Sequence, residues 1–304
     1  MLNFLASLPT PVAQGMIWGV MAIGVYVTYK VLDLADLTVD GSFATGGAVL
    51  VALTTGGMNI YLAMIIAFAA GCVAGLVTGI LHTKFGIPAI LSGILTQLAL
   101  YSVNLRIMSG KANTAISWRN FDLLVSSRTD VIYNTIIVCV IFIAILIAIL
   151  YWFFGTELGH SIRSTGCNPA MSRANGINTD TCKVLGLILS NGIVALSGAL
   201  LSQFQGFADI NMGRGAIVIG LAAVIIGEVI FGKIFRNFAL RLVSVVIGAI
   251  IYYIVITIVL KLGLKTDDLK LFSALVVALF LGIPYWKSKV SFKKNSKKEG
   301  KANA

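Results

Sequence analysis

Nine apolar segments follow one another along the chain, each near the length of about 20 residues that a helix needs to cross a bilayer. Polar or turn-forming residues separate them, such as the turn at Gly56-Gly57 and the break before Pro88. This pattern predicts an all-α polytopic membrane protein with about nine transmembrane helices. The predicted spans are Val12–Leu32, Thr38–Thr55, Ile60–Leu81, Pro88–Leu105, Val131–Phe154, Val184–Phe204, Ala216–Phe231, Phe238–Leu262 and Leu271–Trp286.

Composition and charge agree with a chain whose solvent is lipid. Of its 304 residues, 58% are apolar and 12% are charged, against about 25% charged residues in soluble domains. The net charge of +11 is concentrated near the C-terminus, where seven lysines and one glutamate lie between Lys287 and Lys301. We therefore predict a transmembrane domain, 1–286, and a basic tail, 287–304. The basic residues suit a lipid bilayer and give no reason to expect a nucleic-acid partner.

The distribution of basic residues also predicts an orientation. Basic segments beside spans are retained on the cytoplasmic side of the plasma membrane, so the tail predicts a cytoplasmic C-terminus. An odd number of spans then places the N-terminus outside. The same alternation puts the polar segment 155–183 inside and the segment 106–130 outside.

The segment 155–183 is the long polar interval in the middle of the apolar chain, and it carries charges of both signs. Within it, Asn168-Pro169 is typical of a helix start, because asparagine caps free N–H groups and proline is favoured at the first helical position. Gly176 suits the residue that follows a helix C-terminus. The sequence predicts a short helix, Pro169–Asn175, lying along the membrane face and contacting a soluble partner.

The second predicted span begins with polar residues beside hydrocarbon. Asp40-Gly41-Ser42 has the chemistry of a turn, and Ser42 is a reasonable N-cap for a helix that runs from Phe43 onward. Two interpretations stay open: a helix broken inside the membrane along a transport path, or an inside loop at the headgroup level. Uncharged polar side chains in the middle of other spans are further candidates for such a path. The candidate path residues are Asp40, Ser42, Gln97 and Asn191.

Glu228 is an acidic residue within a predicted span, about one turn from its inner end. Carboxylates inside membranes often mark functional sites. Basic residues follow it closely in the sequence, so we favour a structural ion pair over a proton relay. The expected partners are Lys233, Arg236 or Arg241.

The third predicted span contains small residues at a helical spacing. Gly71, Gly75 and Gly79 lie four residues apart, which puts them on one face of a helix. Such faces let two helices approach closely in membranes. We expect this contact within one subunit and less so between two subunits.

The sequence shows no motif for catalysis or metal binding. It has no Gly-x-x-x-x-Gly-Lys-Ser/Thr loop for nucleotide phosphates. Its four cysteines lack metal-ligand spacing, and His82 and His160 are the two histidines of the chain. We therefore expect a protein that is not an enzyme, with no metal site and no cofactor of its own.

The run from Arg163 to Asn178 resembles the coupling segment of ABC-importer permeases of the branched-chain amino acid and ribose class. The pattern there is Arg-Ala-x-Gly-x-Asn-x-x-Ala-Ala-x-x-x-Gly-Ile. The residues that match it are Arg163, Gly166, Asn168, Ala174, Gly176 and Ile177. Two other stretches are similar to the same family: Gly213–Gly215 leading into Leu221–Gly227, and Thr38–Ser42, which looks like the subgroup linked to aromatic amino acid uptake. Ribose-type permeases have ten spans with the N-terminus inside, so nine spans fit the loss of the first helix.

The resemblance implies a permease subunit that works with other chains. It implies a second copy of this permease, two cytoplasmic ATPase subunits that hold ATP and Mg, and an external solute-binding lipoprotein. It also implies a small organic solute, with an amino acid as the leading expectation. The residues that it assigns to coupling with the ATPase are Arg163, Gly166, Asn168, Pro169, Ala170, Met171, Arg173, Ala174, Asn175 and Gly176.

Other function classes remain open from the residues alone. A secondary transporter or channel driven by an ion or proton gradient requires a charged site near the middle of the membrane. The sequence offers little beyond Glu228 and Asp40 for that role. A membrane enzyme requires a catalytic cluster, and the sequence contains none that we recognise.

Overall fold

The computed structural model describes residues 9–117, 121, 123–128, 131–232, 234–235, 237–261, 271–272, 274–275, 277–279 and 282. This part of the chain forms ten α-helices, one π-helical turn and two short strands. The helices are α1 Pro9–Tyr26, α2 Thr38–Thr55, α3 Ile60–Thr83, α4 Ala89–Ile107, α5 Ile132–Phe154, α6 Glu157–Cys167, α7 Pro169–Ala174, α8 Thr179–Gln205, α9 Ala216–Phe231 and α10 Phe238–Lys261. The π-helical turn is Val27–Val31, and the strands are β1 Asn113–Ala115 and β2 Phe207–Asp209.

Helix α8, with 27 residues, is the longest of the described helices and packs against α1, α2 and α3. Helix α1 runs antiparallel to it and is fixed by two buried hydrogen bonds. The Ser190 hydroxyl donates to the Gly24 carbonyl at 2.8 Å, and the Ser197 hydroxyl donates to the Ile17 carbonyl at 2.7 Å. Hydrogen bonds of this kind matter in membranes, because lipid is as apolar as the side chains and burial alone does not bring helices together.

The glycine face of α3 makes the close contact with α8 that its spacing predicts. A Cβ atom at Gly71 or Gly75 would collide with the backbone of α8, at the Asn191 and Leu187 carbonyls respectively, and one at Gly79 would press on Val184. Helices that touch through their backbones gain dispersion contacts along their whole length. The close contact expected within one subunit is therefore present.

Helix α2 begins inside the bundle. The chain leaves α1 through the π-helical turn and reverses over residues 32–37. Asp36 is 3% exposed and Ser42 is fully buried, and both bond to Asn191, which lies at the middle of α8. Helix α2 is continuous through Asp40-Gly41-Ser42 and begins beside the middle of α8. That its start lies within the membrane along a transport path stays a prediction. π-helical turns are rare in proteins, and those that occur often lie at functional sites.

Two short strands identify one end of the bundle. Strand β1 follows α4, strand β2 follows α8, and they pair antiparallel with Thr114 opposite Ala208. Neither strand was predicted, because three residues carry no periodic signal. The pairing brings the ends of α4 and α8 together at what we call the ribbon end. Helices α6 and α7 precede α8 and lie at the opposite end, which we call the coupling end.

Six of the described helices are long and apolar enough to cross a membrane, and they are α1 with its π-helical turn, α3, α4, α5, α8 and α10. Helices α2 and α9 have the bounds predicted for their spans, with 18 and 16 residues. Helix α8 begins at Thr179 and not at Val184, because the Asn178 side chain caps a polar first turn ahead of the apolar span. Half of the residues of the ninth predicted span, Leu271–Trp286, lie outside the described residues, and the tail 287–304 lies outside them entirely.

Replacing Gly75 by leucine should destabilise the protein, because the new side chain meets the Leu187 carbonyl and forces α3 away from α8. Overpacking of this kind costs about 1–3 kcal/mol, so the detergent-solubilised protein should lose its monodisperse elution peak at a lower temperature. Val77→Leu is the matched control, since Val77 is 43% exposed on the same helix. Equal melting of the two variants would contradict the packing described here.

Candidate coupling surface and membrane-embedded polar site

The coupling loop, residues 155–183, contains two helices where the sequence predicted one. Helix α6 is capped by Thr156, whose Oγ1 accepts the Gly159 N–H at 3.3 Å. Its sequence is rich in residues of low helix propensity, so it gave little signal, and it is stabilised by burying Ile162 against the bundle. Helix α7 lies close to the predicted bounds. Asn168 Oδ1 accepts the Met171 N–H at 3.0 Å, and proline occupies the first turn.

Helix α7 is attached on one side to α6 and α8 and is exposed on its other sides. Its buried residue is Ser172, whose hydroxyl lies 2.7 Å from the Ser164 hydroxyl of α6. The Arg173 Nε donates to Thr179 Oγ1 of α8 at 3.0 Å, and Gly176 ends the turn with a φ of +79°. The predicted coupling residues on its exposed sides are Asn168, Pro169, Ala170, Met171, Arg173, Ala174, Asn175 and Gly176.

Besides Arg173, two more of the predicted coupling residues contact this chain's own membrane helices. Gly166 of α6 lies against the Val31 carbonyl of the π-helical turn, where a Cβ would collide. The Arg163 guanidinium lies over the Phe238 ring, 5.2 Å from its centroid, a geometry of attraction between a cation and an aromatic face. These residues therefore join the coupling loop to the π-helical turn and to α10.

Asp36 lies five residues beyond that π-helical turn and has two buried hydrogen bonds. Its Oδ1 accepts the N–H of Thr38, the first residue of α2, at 2.9 Å, and its Oδ2 accepts from Asn191 Nδ2 at 2.7 Å. The Asn191 Oδ1 accepts the Ser42 hydroxyl at 2.6 Å. The expectation that Ser42 caps a helix starting at Phe43 was wrong, because α2 begins at Thr38 and Ser42 lies within it. Nothing in the sequence marked Asp36 among its neighbouring aspartates.

Threonine side chains continue this polar interior toward α3 and α4. The Thr38 hydroxyl lies 2.7 Å from the Thr78 hydroxyl, and Thr78 Oγ1 donates to Thr96 Oγ1 at 2.9 Å. All three are buried. Four helices, α2, α3, α4 and α8, thus meet through polar side chains at one level of the bundle.

A recess of about 270 Å³ opens between α2, α4 and the segment after β2. It is lined by Asp40, Gly41, Ala44, Gln97, Leu98, Tyr101, Asn104, Ile210 and Arg214. Asp40 also organises its rim: Oδ2 accepts the Gly215 N–H and Oδ1 accepts the Ile217 N–H, both at 2.9 Å. A carboxylate at this position satisfies free N–H groups at the start of α9 and suits the helix dipole.

The four candidate path residues fall into two groups. Asp40 and Gln97 line the recess. Ser42 and Asn191 are fully buried and bond to each other between α2 and α8. That they line a translocation path stays a prediction.

Glu228 forms an ion pair, but with a residue the sequence did not suggest. Its Oε1 lies 2.9 Å from Lys30 Nζ, and both side chains are about half exposed. Arg241 lines a small cavity beside Glu228, whereas Lys233 and Arg236 lie outside the described residues. Lys30 lies in the π-helical turn that follows α1. It reaches Glu228 at the coupling end of α9 because α1 packs on α9.

The family model for the permease component of branched-chain amino acid transport systems matches residues 10–284. The chain belongs to this family of ABC transporter permeases. A tyrosine transport system permease protein of Clostridioides difficile (strain R20291) is 41% identical over 268 residues, covering 88% of each chain. A ribose import permease protein of Escherichia coli (strain K12) is 27% identical over 243 residues, covering 78% of this chain and 73% of that protein. A galactofuranose transporter permease protein of the same strain is 27% identical over 253 residues, covering 81% and 70%.

Membership has direct consequences for this permease. It is a multi-pass membrane protein and the permease component of an ABC-type transporter for amino acids or sugars. The family implies association with an ATPase and a substrate-binding protein. The tyrosine transport relative agrees with the subgroup that Thr38–Ser42 suggested.

Replacing Asn191 by alanine should destabilise this permease, because Asp36 Oδ2 and the Ser42 hydroxyl both lose their buried partner. A buried polar group left unsatisfied costs about 1–3 kcal/mol. Asn134→Ala, at an exposed position near the start of α5, serves as the control. Thermal unfolding of the two variants in nanodiscs measures the difference, and an Asn191→Ala protein as stable as Asn134→Ala would contradict the assigned network.

Proposed function

We propose that this chain is the membrane subunit of an ATP-driven importer for an aromatic amino acid such as tyrosine. Two copies of the chain enclose the path. Two cytoplasmic ATPase subunits hold ATP and Mg and dock on α7, and an external solute-binding lipoprotein delivers the solute. The chain itself carries out no chemistry.

The observation that carries this proposal is the exposed helix α7. A six-residue helix is too short to be stable alone, yet this one is capped by Asn168 and tied to α6 and α8 by side-chain hydrogen bonds. It presents Met171, which is 62% exposed, beside the charged Arg173. An exposed flexible apolar side chain next to a cation suits a groove on a soluble partner.

A mechanical route from α7 into the membrane supports the same function. Helix α6 carries α7 at one end and touches the π-helical turn through Gly166 and Val31. That turn leads within five residues to Asp36 and so to the middle of α8. Closely packed backbones transmit small displacements without much compression. Movement of α7 would therefore reach the start of α2.

The substrate class is supported by a relative. The tyrosine transport permease of Clostridioides difficile is 41% identical over most of both chains, while the sugar permeases are 27% identical. Glu228 gives no support to a proton-driven alternative, since it pairs with Lys30 at the coupling end. A carboxylate near the interface is neutralised at little cost, unlike one in the middle of a membrane.

Arg173→Glu should uncouple the transporter, because a negative charge replaces a cation on the docking helix. In proteoliposomes that hold the complete complex, L-tyrosine uptake should require ATP on the coupling side and persist with a protonophore. Arg173→Glu should lower uptake about tenfold, as loss of a charged contact at an interface costs more than 1.4 kcal/mol. The matched control is Lys84→Glu, the same charge change at an exposed position of the coupling end, which should transport normally.

Two results would contradict the proposal. One is collapse of uptake with the protonophore in ATP-loaded vesicles, which would favour a gradient-driven transporter. The other is unchanged uptake by Arg173→Glu, which would remove α7 from the docking site.

Orientation gives a second prediction: the coupling end faces the cytoplasm and the ribbon end faces outside. In a variant without native cysteines, an impermeant maleimide added to intact cells should label Lys111→Cys, which follows α4, and spare Ala170→Cys of α7. Ala170→Cys should react once the membrane is opened. Labelling of both sites from outside would contradict this orientation.

A further inference from the structure

Asn104 is a buried polar side chain without a partner for its acceptor atom. It lies near the ribbon end of α4, is 1% exposed, and lines the recess between α2, α4 and the segment after β2. Its Oδ1 accepts no hydrogen bond among the described residues. Buried acceptors are nearly always satisfied in native proteins, so this atom would accept from an N–H donor in the recess once the Asn104 side chain turned toward it.

Arg214 supplies a cation at the same recess. It is exposed, and within the described part of the chain its guanidinium takes part in no ion pair. Its backbone is held firmly: Gly213 packs on the Asp40 carbonyl, and the Gly215 N–H donates to the Asp40 carboxylate. A guanidinium on a fixed backbone is suited to bind a carboxylate through two parallel hydrogen bonds.

The rest of the lining completes a site for an amphoteric molecule. Asp40 adds a carboxylate whose oxygens accept the backbone N–H groups of Gly215 and Ile217 at the start of α9. Leu98, Tyr101 and Ile210 form an apolar wall with an aromatic ring. The volume of about 270 Å³ is near the lower end of the range of about 300–1,000 Å³ for small-molecule sites.

The polar lining of the recess suits a face covered by protein or water and not by lipid. Gln97 and Asn104 lie within a membrane-spanning helix, and charged groups at such depth face protein or water. In a transporter with two permease copies, this face would border the path between them.

We infer that the recess binds the zwitterionic group of an amino acid in transit, with Arg214 on the carboxylate and Asn104 Oδ1 accepting from the ammonium. Tyr101 and Leu98 would contact an aromatic or apolar side chain. The inference rests on the proposed function and names the groups that select the substrate within the membrane.

Protection from labelling tests the site without transport. In the complete transporter in nanodiscs, on a background without native cysteines, Leu98→Cys is treated with a methanethiosulfonate reagent. L-Tyrosine should slow the reaction several-fold. Tyramine lacks the carboxylate, 3-(4-hydroxyphenyl)propionate lacks the ammonium, and D-ribose lacks both, so none of them should protect. Lys111→Cys, which is exposed beyond the recess, should react equally in every case.

Substitution of Arg214 gives a second readout. Arg214→Gln should abolish protection by L-tyrosine and lower its uptake about tenfold, as expected for loss of a charged hydrogen bond. ATP hydrolysis stimulated by the loaded binding protein should persist. Arg214→Lys should restore part of the protection, and Lys111→Gln, which removes a cation beyond the recess, should leave uptake unchanged.

The outcomes separate this inference from the proposed function. Equal labelling of Leu98→Cys with and without L-tyrosine, in a transporter that takes up tyrosine with ATP, would overturn the inference alone. Protection by D-ribose equal to that by L-tyrosine would overturn it too, because the site would then bind hydroxyl groups and not a zwitterion. Absence of any ATP-dependent tyrosine uptake would overturn the proposed function, whatever the labelling shows.

Discussion

The hydrogen bonds of Asn191 set the geometry of the membrane domain. A carboxamide can donate and accept at once, so this single side chain satisfies both the carboxylate of Asp36 and the hydroxyl of Ser42 at the middle of α8. Inside a membrane no water competes for these groups. The start of α2 is therefore held within the bundle. Asp40, four residues after Asp36, therefore lies at the N-terminus of α9. There it accepts two backbone N–H groups and forms part of the rim of the recess.

Small residues let this polar centre communicate with the coupling end. Gly166 brings α6 against the backbone of the π-helical turn, and Gly71 and Gly75 bring α3 against α8. The distance between two backbones in direct contact can change little, because no side chain lies between them that could adopt another rotamer. The ion pair of Lys30 with Glu228 adds a link from the same turn to α9. The coupling loop, the start of α2 and the recess are thus joined by a continuous series of packed contacts and hydrogen bonds.

The two ends of the molecule present different chemistry. At the coupling end, α7 is exposed and carries side chains suited to a protein partner. At the ribbon end, β1 and β2 hold the segment that carries Arg214 over the recess. This division suits the proposed importer, in which energy would enter from one side and solute from the other.

The bounds of most of the described spans, the short helix after Asn168 and the family were all readable from the sequence, because they depend on local periodicity, caps and motifs. Tertiary structure decided what depends on contacts between distant segments. Asp36 looked like its neighbours Asp33 and Asp40 until the fold brought Asn191 to it, and Lys30 became the partner of Glu228 only when α1 packed on α9. Three-residue strands and a weakly helical α6 form only where the rest of the bundle supports them. Local propensity fixes a helix, but the choice of a buried polar partner is made by packing, which sequence periodicity does not record.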